Sequence, residues 1–200
     1  AAVHLIAMAR RAGVEFTLDD LDRVGREVPV LANLFPSGDR LMEDFHYAGG
    51  LPALMSRIKP HLFLDQRNVN GKTLGENLQG VQVLDDAVIR PLDKPVSANG
   101  ALAVLRGNLA PEGAVMKASA ASPKLFKHRG RAIVFDDPAA MNKACADANL
   151  DCDENTVLVL RNAGPVGAPG MPEWGGLPIP KKLLDQGVRD MVRISDARMS

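Results

Sequence analysis

Two stretches of the chain carry side chains at spacings that could do chemistry. The first, "RNAGPVGAPGMPEWGGLPIPKK" from Arg161 to Lys182, packs five glycines and five prolines between Gly164 and Pro180, with Glu173 as its one acid beside the single tryptophan, Trp174. Glycine lets backbone approach a ligand, and each proline fixes φ near about −65°, so alternating Gly and Pro makes a stiff loop where a flexible linker would use Gly and Ser. A carboxylate held on such a loop suits a hard cation such as Mg²⁺, which takes oxygen ligands in strict geometry. A solvated loop acid is the other reading, and composition leaves both open. The stretch lacks the GK(S/T) ending of a phosphate-binding P-loop.

The second stretch is "RISDARMS", Arg193 to Ser200, where a strand gives way to a polar turn. Ser200 acts as a base or nucleophile only if a metal or a helix dipole lowers its pKa; otherwise it is a hydrogen-bonded turn serine. No GxSxG elbow supports a hydrolase triad. Glu43, Asp44 and His46 in "MEDFHYAGG" do not share a helical face in the i, i+4 manner, so they read as charges at a helix N-terminus and not as a metal site. Cys145 and Cys152 are seven apart, which is neither a disulfide framework nor a CxxC metal pair.

The elements that must hold these groups change in texture along the chain. Residues 2–12 read as a helix stopped by Gly13, and "TLDD" at Thr17 opens a second helix with a capping box. "VPVLANL" reads as buried and extended. Short helices follow in "LMEDFHYAGG" and "LPALMSRIKP", and "TLGE" at Thr73 caps another. From about residue 80, apolar runs separated by turns predict seven strands, at 81–84, 87–92, 101–107, 114–119, 131–135, 156–161 and 190–194, enough for a sheet or barrel. Two helices interrupt them, one capped by Asp137 with Pro138 at its first position, the other "PKKLLDQG" ended by Gly187. The expected fold is mixed α/β, with a mostly helical domain at 1–78 and a β-rich domain at 79–200.

Composition bounds the function classes. Two hundred residues at 46% hydrophobic content can bury a core, and 24 basic residues balance 24 acidic ones with no basic block interleaved with aromatics. No nucleic-acid or membrane partner is expected, and the absence of a long apolar run or a signal-like start predicts a cytoplasmic protein. The chain lacks an initiator Met and stops directly after a strand and turn, which reads as an excerpt from a longer protein.

The segments "LMEDFHYAGGLPALM", "GKTLGENL", "LRGNLAPEGAVMK", "GRAIVFDD", "RNAGPVGAPGMPEWGGLPIPKK" and "VRISDARMS" together resemble the dihydroxy-acid dehydratase and 6-phosphogluconate dehydratase family, in the family's order and over nearly the whole chain. Within it, "NAGPVGAPGMPE", "LPIPKKL" and "RISDARMS" look most like the sugar-acid (aldonate) dehydratases, such as those for arabinonate or xylonate. The branched-chain dihydroxy-acid dehydratases have Gly-Arg-Phe-Ser where this chain has Ala197, Arg198, Met199 and Ser200.

The resemblance implies a hydro-lyase that dehydrates a sugar acid to a 2-keto-3-deoxy acid, with an iron–sulfur cluster, [2Fe–2S], acting on the leaving 3-hydroxyl and Mg²⁺ holding the carboxylate and 2-hydroxyl. By motif position it implies that Glu173 ligates the Mg²⁺ and that Ser200 is the base for the C2 proton. The family's cluster cysteines, Mg²⁺-binding aspartates and modified lysine are expected upstream of Ala1. Cys145 and Cys152 match none of them, so the excerpt alone is expected to bind no cofactor and to be inactive. The resemblance further implies a β-barrel-like, swivelling β/β/α C-terminal domain, incomplete in this chain, and a homodimer or homotetramer. Two alternatives stand beside this reading: a dihydroxy-acid dehydratase of branched-chain amino-acid biosynthesis, and a non-catalytic binding or assembly module of the same fold.

Overall fold

The computed structural model describes residues 2–164, 167 and 176–198. The chain falls into two compact units, Ala1–Ala120 and Ala121–Ser200. The change from helical to strand-rich texture near residue 78 lies inside the first of them.

Helices of the first unit start where local capping dictates. Helix α1 spans Ala2–Arg11 and α2 spans Leu18–Glu27. At the start of α2 the Thr17 backbone N–H donates to Asp20 at 3.0 Å while the Asp20 N–H donates back to Thr17 Oγ1 at 3.4 Å. Helices α3 (Met42–Tyr47) and α4 (Gly50–Arg57) follow, then α5 (Leu74–Asn77), with the same reciprocal box between Thr73 and Glu76. Bonds from the capping threonines hold the Asp20 and Glu76 carboxyls below the usual carboxylate range. Strands β1 (Ala103–Leu105) and β2 (Ala114–Met116) close the unit as an antiparallel pair.

Two predicted strands, 81–84 and 87–92, are not strands. Val88 and Ile89 are buried and pack on Ala48 and Ala53, with Val81 and Val83 partly buried beside them, but Leu84 and Leu92 are exposed and no ladder extends from either run. Asp85 turns the chain by accepting the Ala87 N–H at 2.7 Å, and Pro91 has no N–H to donate. What remains is an isolated bridge between Ile89 and Ala32 in the "VPVLANL" run, itself extended and not a strand.

The second unit is a βαβαβ arrangement. Strands β3 (Ala132–Phe135), β4 (Val157–Leu160) and β5 (Arg193–Ser195) are all parallel, with β4 in the middle. Helix α6 (Pro138–Ala146) connects β3 to β4, and its N-terminus is capped by Asp137, whose carboxylate accepts the Ala140 N–H at 2.8 Å. Helix α7 (Lys181–Asp185) lies between β4 and β5. Alternate residues of β4, Leu158 and Leu160, are fully buried, as the period of two requires, and join Met141 and Cys145 of α6, Leu183 of α7 and Met191 in one core. The described residues form a two-stranded and a three-stranded sheet and no closed barrel. Among them no helix is long and apolar enough to cross a membrane.

Because Leu158 is 0% exposed at the centre of the middle strand, Leu158→Ala is expected to lower stability by about 2–5 kcal/mol. A shift of the urea midpoint at unchanged slope measures it.

Candidate functional site

The register of the parallel strands sets the site. Phe135 lies opposite Leu160, and Leu160 opposite Ser195, so the residues that follow them, Asp136, Arg161 and Asp196, emerge together at the carboxyl edge of the sheet. That edge is where open α/β sheets hold their ligands. The Gly/Pro loop leaves from β4 and the "DARMS" turn from β5, its immediate neighbour.

The described residues at this edge are tightly bonded. Arg161 pairs with Asp136, and the Asn162 side-chain amide donates to the Asp136 carbonyl at 3.3 Å. Asn162 takes a left-handed conformation, φ 61°, which Asn tolerates better than most residues. This turns two consecutive backbone N–H groups toward β5, and the Asp196 carboxylate receives both, Asn162 N–H at 3.1 Å and Ala163 N–H at 3.1 Å. The turn that presents Asp196 is held in its own right, since Ser195 Oγ accepts the Ala197 N–H at 3.0 Å. The far end of the loop is also tied to β5: Arg193 donates to the Leu177 carbonyl at 2.5 Å.

Glu173, Trp174 and Ser200 lie outside the described residues. What the structure brings together is the chain on either side of them, the first residues of the Glu173 loop against the first residues of the Ser200 turn. Sequence reasoning named the "RISDARMS" constellation but singled out Ser200 and missed Asp196. The available signal was an aspartate immediately after a strand end, a position from which a short carboxylate reaches backbone N–H groups.

The other candidates resolve differently. Asp44 Oδ2 accepts the Leu41 N–H at 2.8 Å, so it caps α3, while the exposed His46 stacks edge-on to Tyr47 at 5.4 Å. Among the described residues no three His, Cys, Asp or Glu side chains are grouped to hold a metal. Cys145 is 2% exposed, its thiol 3.8 Å from the Pro178 carbonyl, and burial pushes its pKa up, with Cys152 adding to the rise. Burial likewise raises Cys152, against the opposing charge of Lys182. Cys145 is turned to the Pro178 carbonyl, and among the described residues neither thiol belongs to a group of three candidate metal ligands, an arrangement that does not fit an iron–sulfur cluster.

Two open depressions, of about 380 and 350 Å³, share Glu154, Gln186 and Val188 in their walls. Those residues precede β4 and β5, which puts both depressions at the amino-terminal edge of the sheet. The Gly/Pro loop and the "DARMS" turn leave from the other edge.

A parallel βαβαβ unit with its distinctive loops at the carboxyl edge is a ligand-binding α/β design. The chain belongs to the dihydroxy-acid/6-phosphogluconate dehydratase family: residues 1–77 match its N-terminal part and residues 87–200 its C-terminal part. It is 57% identical over 203 residues to the 6-deoxy-6-sulfo-D-gluconate dehydratase of Pseudomonas putida, and 52% identical over 203 residues to the L-arabonate dehydratase of Azospirillum brasilense; both alignments cover 100% of this chain and 35% of the relative. To the dihydroxy-acid dehydratase of Acetivibrio thermocellus it is 40% identical over 201 residues, 99% of this chain and 36% of that protein. The chain thus spans little more than a third of the length of the curated relatives it matches.

The raised thiols give a direct expectation. Iodoacetamide at neutral pH should label both cysteines slowly in the folded chain and rapidly in urea. Since the folded pKa values are raised, the stability these thiols contribute is full below the ordinary thiol range and is lost as pH rises through the folded values. The urea midpoint should therefore fall on going alkaline, and fall less in Cys145→Ala.

Proposed function

We propose that the full-length protein is a sugar-acid dehydratase, a hydro-lyase converting an aldonate to a 2-keto-3-deoxy acid. The observation that carries this reading is the gradient of identity within the family, 57% and 52% to two sugar-acid dehydratases against 40% to a dihydroxy-acid dehydratase over the same residues. The layout of the sheet supports it, because the loops bearing Glu173 and Ser200 follow adjacent strands at one edge.

In this reading Glu173 is a Mg²⁺ ligand and Ser200 the base. Bound Mg²⁺ would withdraw charge from the substrate carboxylate and make the C2 proton more acidic. Ser200 Oγ, as an alkoxide, takes that proton; the C2 electron pair forms the C2–C3 double bond as the C3–O bond breaks, and the departing hydroxide takes a proton from solvent to leave as water. The resulting enol ketonises to the 2-keto-3-deoxy acid. The [2Fe–2S] cluster and the remaining Mg²⁺ ligands are assigned to parts of the full-length protein outside this chain, since neither Cys145 nor Cys152 fits as a cluster ligand. The domain division at 1–78 and 79–200, a barrel-like swivelling C-terminal domain, a homodimeric or homotetrameric state and a cytoplasmic location complete the proposal.

Turnover of full-length protein on a panel of aldonates against 2,3-dihydroxyisovalerate tests the substrate class. Preference for the branched-chain acid would replace this reading with the amino-acid biosynthetic one. Ser200→Ala should slow C2 proton exchange with solvent by roughly 10²- to 10⁴-fold. Glu173→Gln should abolish the Mg²⁺ dependence of turnover while the far-UV circular dichroism stays native; full activity in either variant removes that residue from the mechanism.

A further inference from the structure

We propose that Asp196 is a positioning residue that locks the Glu173 loop to the Ser200 turn, so that the two reach the substrate as one unit. The proposal rests on the functional reading above for the roles of Glu173 and Ser200, but its structural basis is independent of them. Asp196 stands four residues before Ser200, and the two donors to its carboxylate, Asn162 N–H and Ala163 N–H, open the loop that leads to Glu173. One carboxylate oxygen serves each N–H, which fixes both the distance and the orientation of the loop's first two residues.

The surrounding backbone is shaped for this contact. A Cβ placed on Gly164 would sit 2.3 Å from the Asp196 carbonyl oxygen and 3.1 Å from its carboxyl carbon, so the two chains touch where a side chain would separate them. A Cβ on Gly167 would meet the Asn162 carbonyl oxygen at 2.0 Å, so the loop folds back on its own start. Arg193, on the same strand as the turn, holds the loop's exit through Leu177. Entry and exit are thus both fastened to β5 or to the turn that follows it, and the two Asp196 bonds act on the turn itself.

Catalysis by two groups on separate loops is sensitive to their spacing, since an error of about 1 Å can cost roughly 100-fold in rate. Asp196→Asn keeps one acceptor but sets an amide donor against the second N–H. Asp196→Ala removes both acceptors. Gly164→Ala forces the chains apart from the other side without touching the carboxylate.

The experiment uses full-length protein with Mg²⁺ and a turned-over aldonate, and follows kcat, the half-saturating Mg²⁺ concentration and amide hydrogen exchange of the peptide covering residues 160–178. In Asp196→Ala the Asn162 and Ala163 amides should exchange about tenfold faster or more. Turnover should fall roughly 10- to 100-fold and the half-saturating Mg²⁺ concentration should rise. Asp196→Asn should be intermediate on all three readouts, and Gly164→Ala should reproduce the pattern with the carboxylate in place. Exchange unchanged in Asp196→Ala overturns the proposal, as does faster exchange with native turnover and Mg²⁺ response. Should Asp196→Ala fail to fold, Asp196→Asn and Gly164→Ala carry the same test. Failure of the functional reading is distinguishable, because it appears as unaltered turnover in Glu173→Gln and Ser200→Ala whatever the exchange of residues 160–178.

Discussion

Everything at the carboxyl edge of the second unit depends on the in-phase parallel pairing of β3, β4 and β5. Phe135, Leu160 and Ser195 share one rung; a shift of one residue in β4 would turn Leu158 and Leu160 out of the core, and a shift in any of the three strands would carry Asp136, Arg161 or Asp196 out of reach of its partner. Burial therefore enforces the register, and the register delivers the polar contacts. The entry to β4 is fixed as well. The buried Thr156 hydroxyl donates to Asp153 at 3.1 Å and accepts the Asp153 N–H at 3.0 Å, which starts the strand at a defined residue without leaving a polar atom unsatisfied in the core.

The sheet consequently has two different ends. At the amino-terminal edge lie broad, polar depressions walled by Glu154, Gln186 and Arg189, on chain that turns back toward the strands. At the carboxyl edge lie close backbone contacts, a left-handed asparagine and a dense set of charge-assisted bonds between segments far apart in sequence. Strained and tightly bonded backbone gathers where geometry has to be held, and an open hollow on a polar surface imposes no such demand.

Much of the local structure was legible in the sequence because its causes are local. Thr17, Thr73 and Asp137 each bond a backbone group three residues away, so the capped helix starts at those positions could be read directly. The runs at 131–135, 156–161 and 190–194 hold three real strands. The runs at 81–84 and 87–92 look the same in composition, but a strand needs a partner ladder, and Asp85 and Pro91 interrupt theirs. The parallel order was not readable, nor was the part played by Asp196. Its partners are 33 and 34 residues away and are backbone groups, which leave no mark on side-chain pattern. The residues themselves marked Glu173 and Ser200 as candidates, resemblance supplied their roles, and only the fold shows what adjoins the chain leading to each.

The way Asp196 grips its neighbours divides the loop into parts with different freedom to change. Ala163 meets Asp196 through its N–H, while its side chain is buried in the core of the unit, so residue type there answers to packing and not to the anchor. Constraint falls instead on Asp196, which supplies both acceptors, and on Gly164, where no side chain fits. A fastening made to the peptide backbone gives a lineage room to remodel the rest of the loop while its point of attachment stays the same. Relatives acting on different acids would then be expected to keep the clasp and to vary what hangs from it.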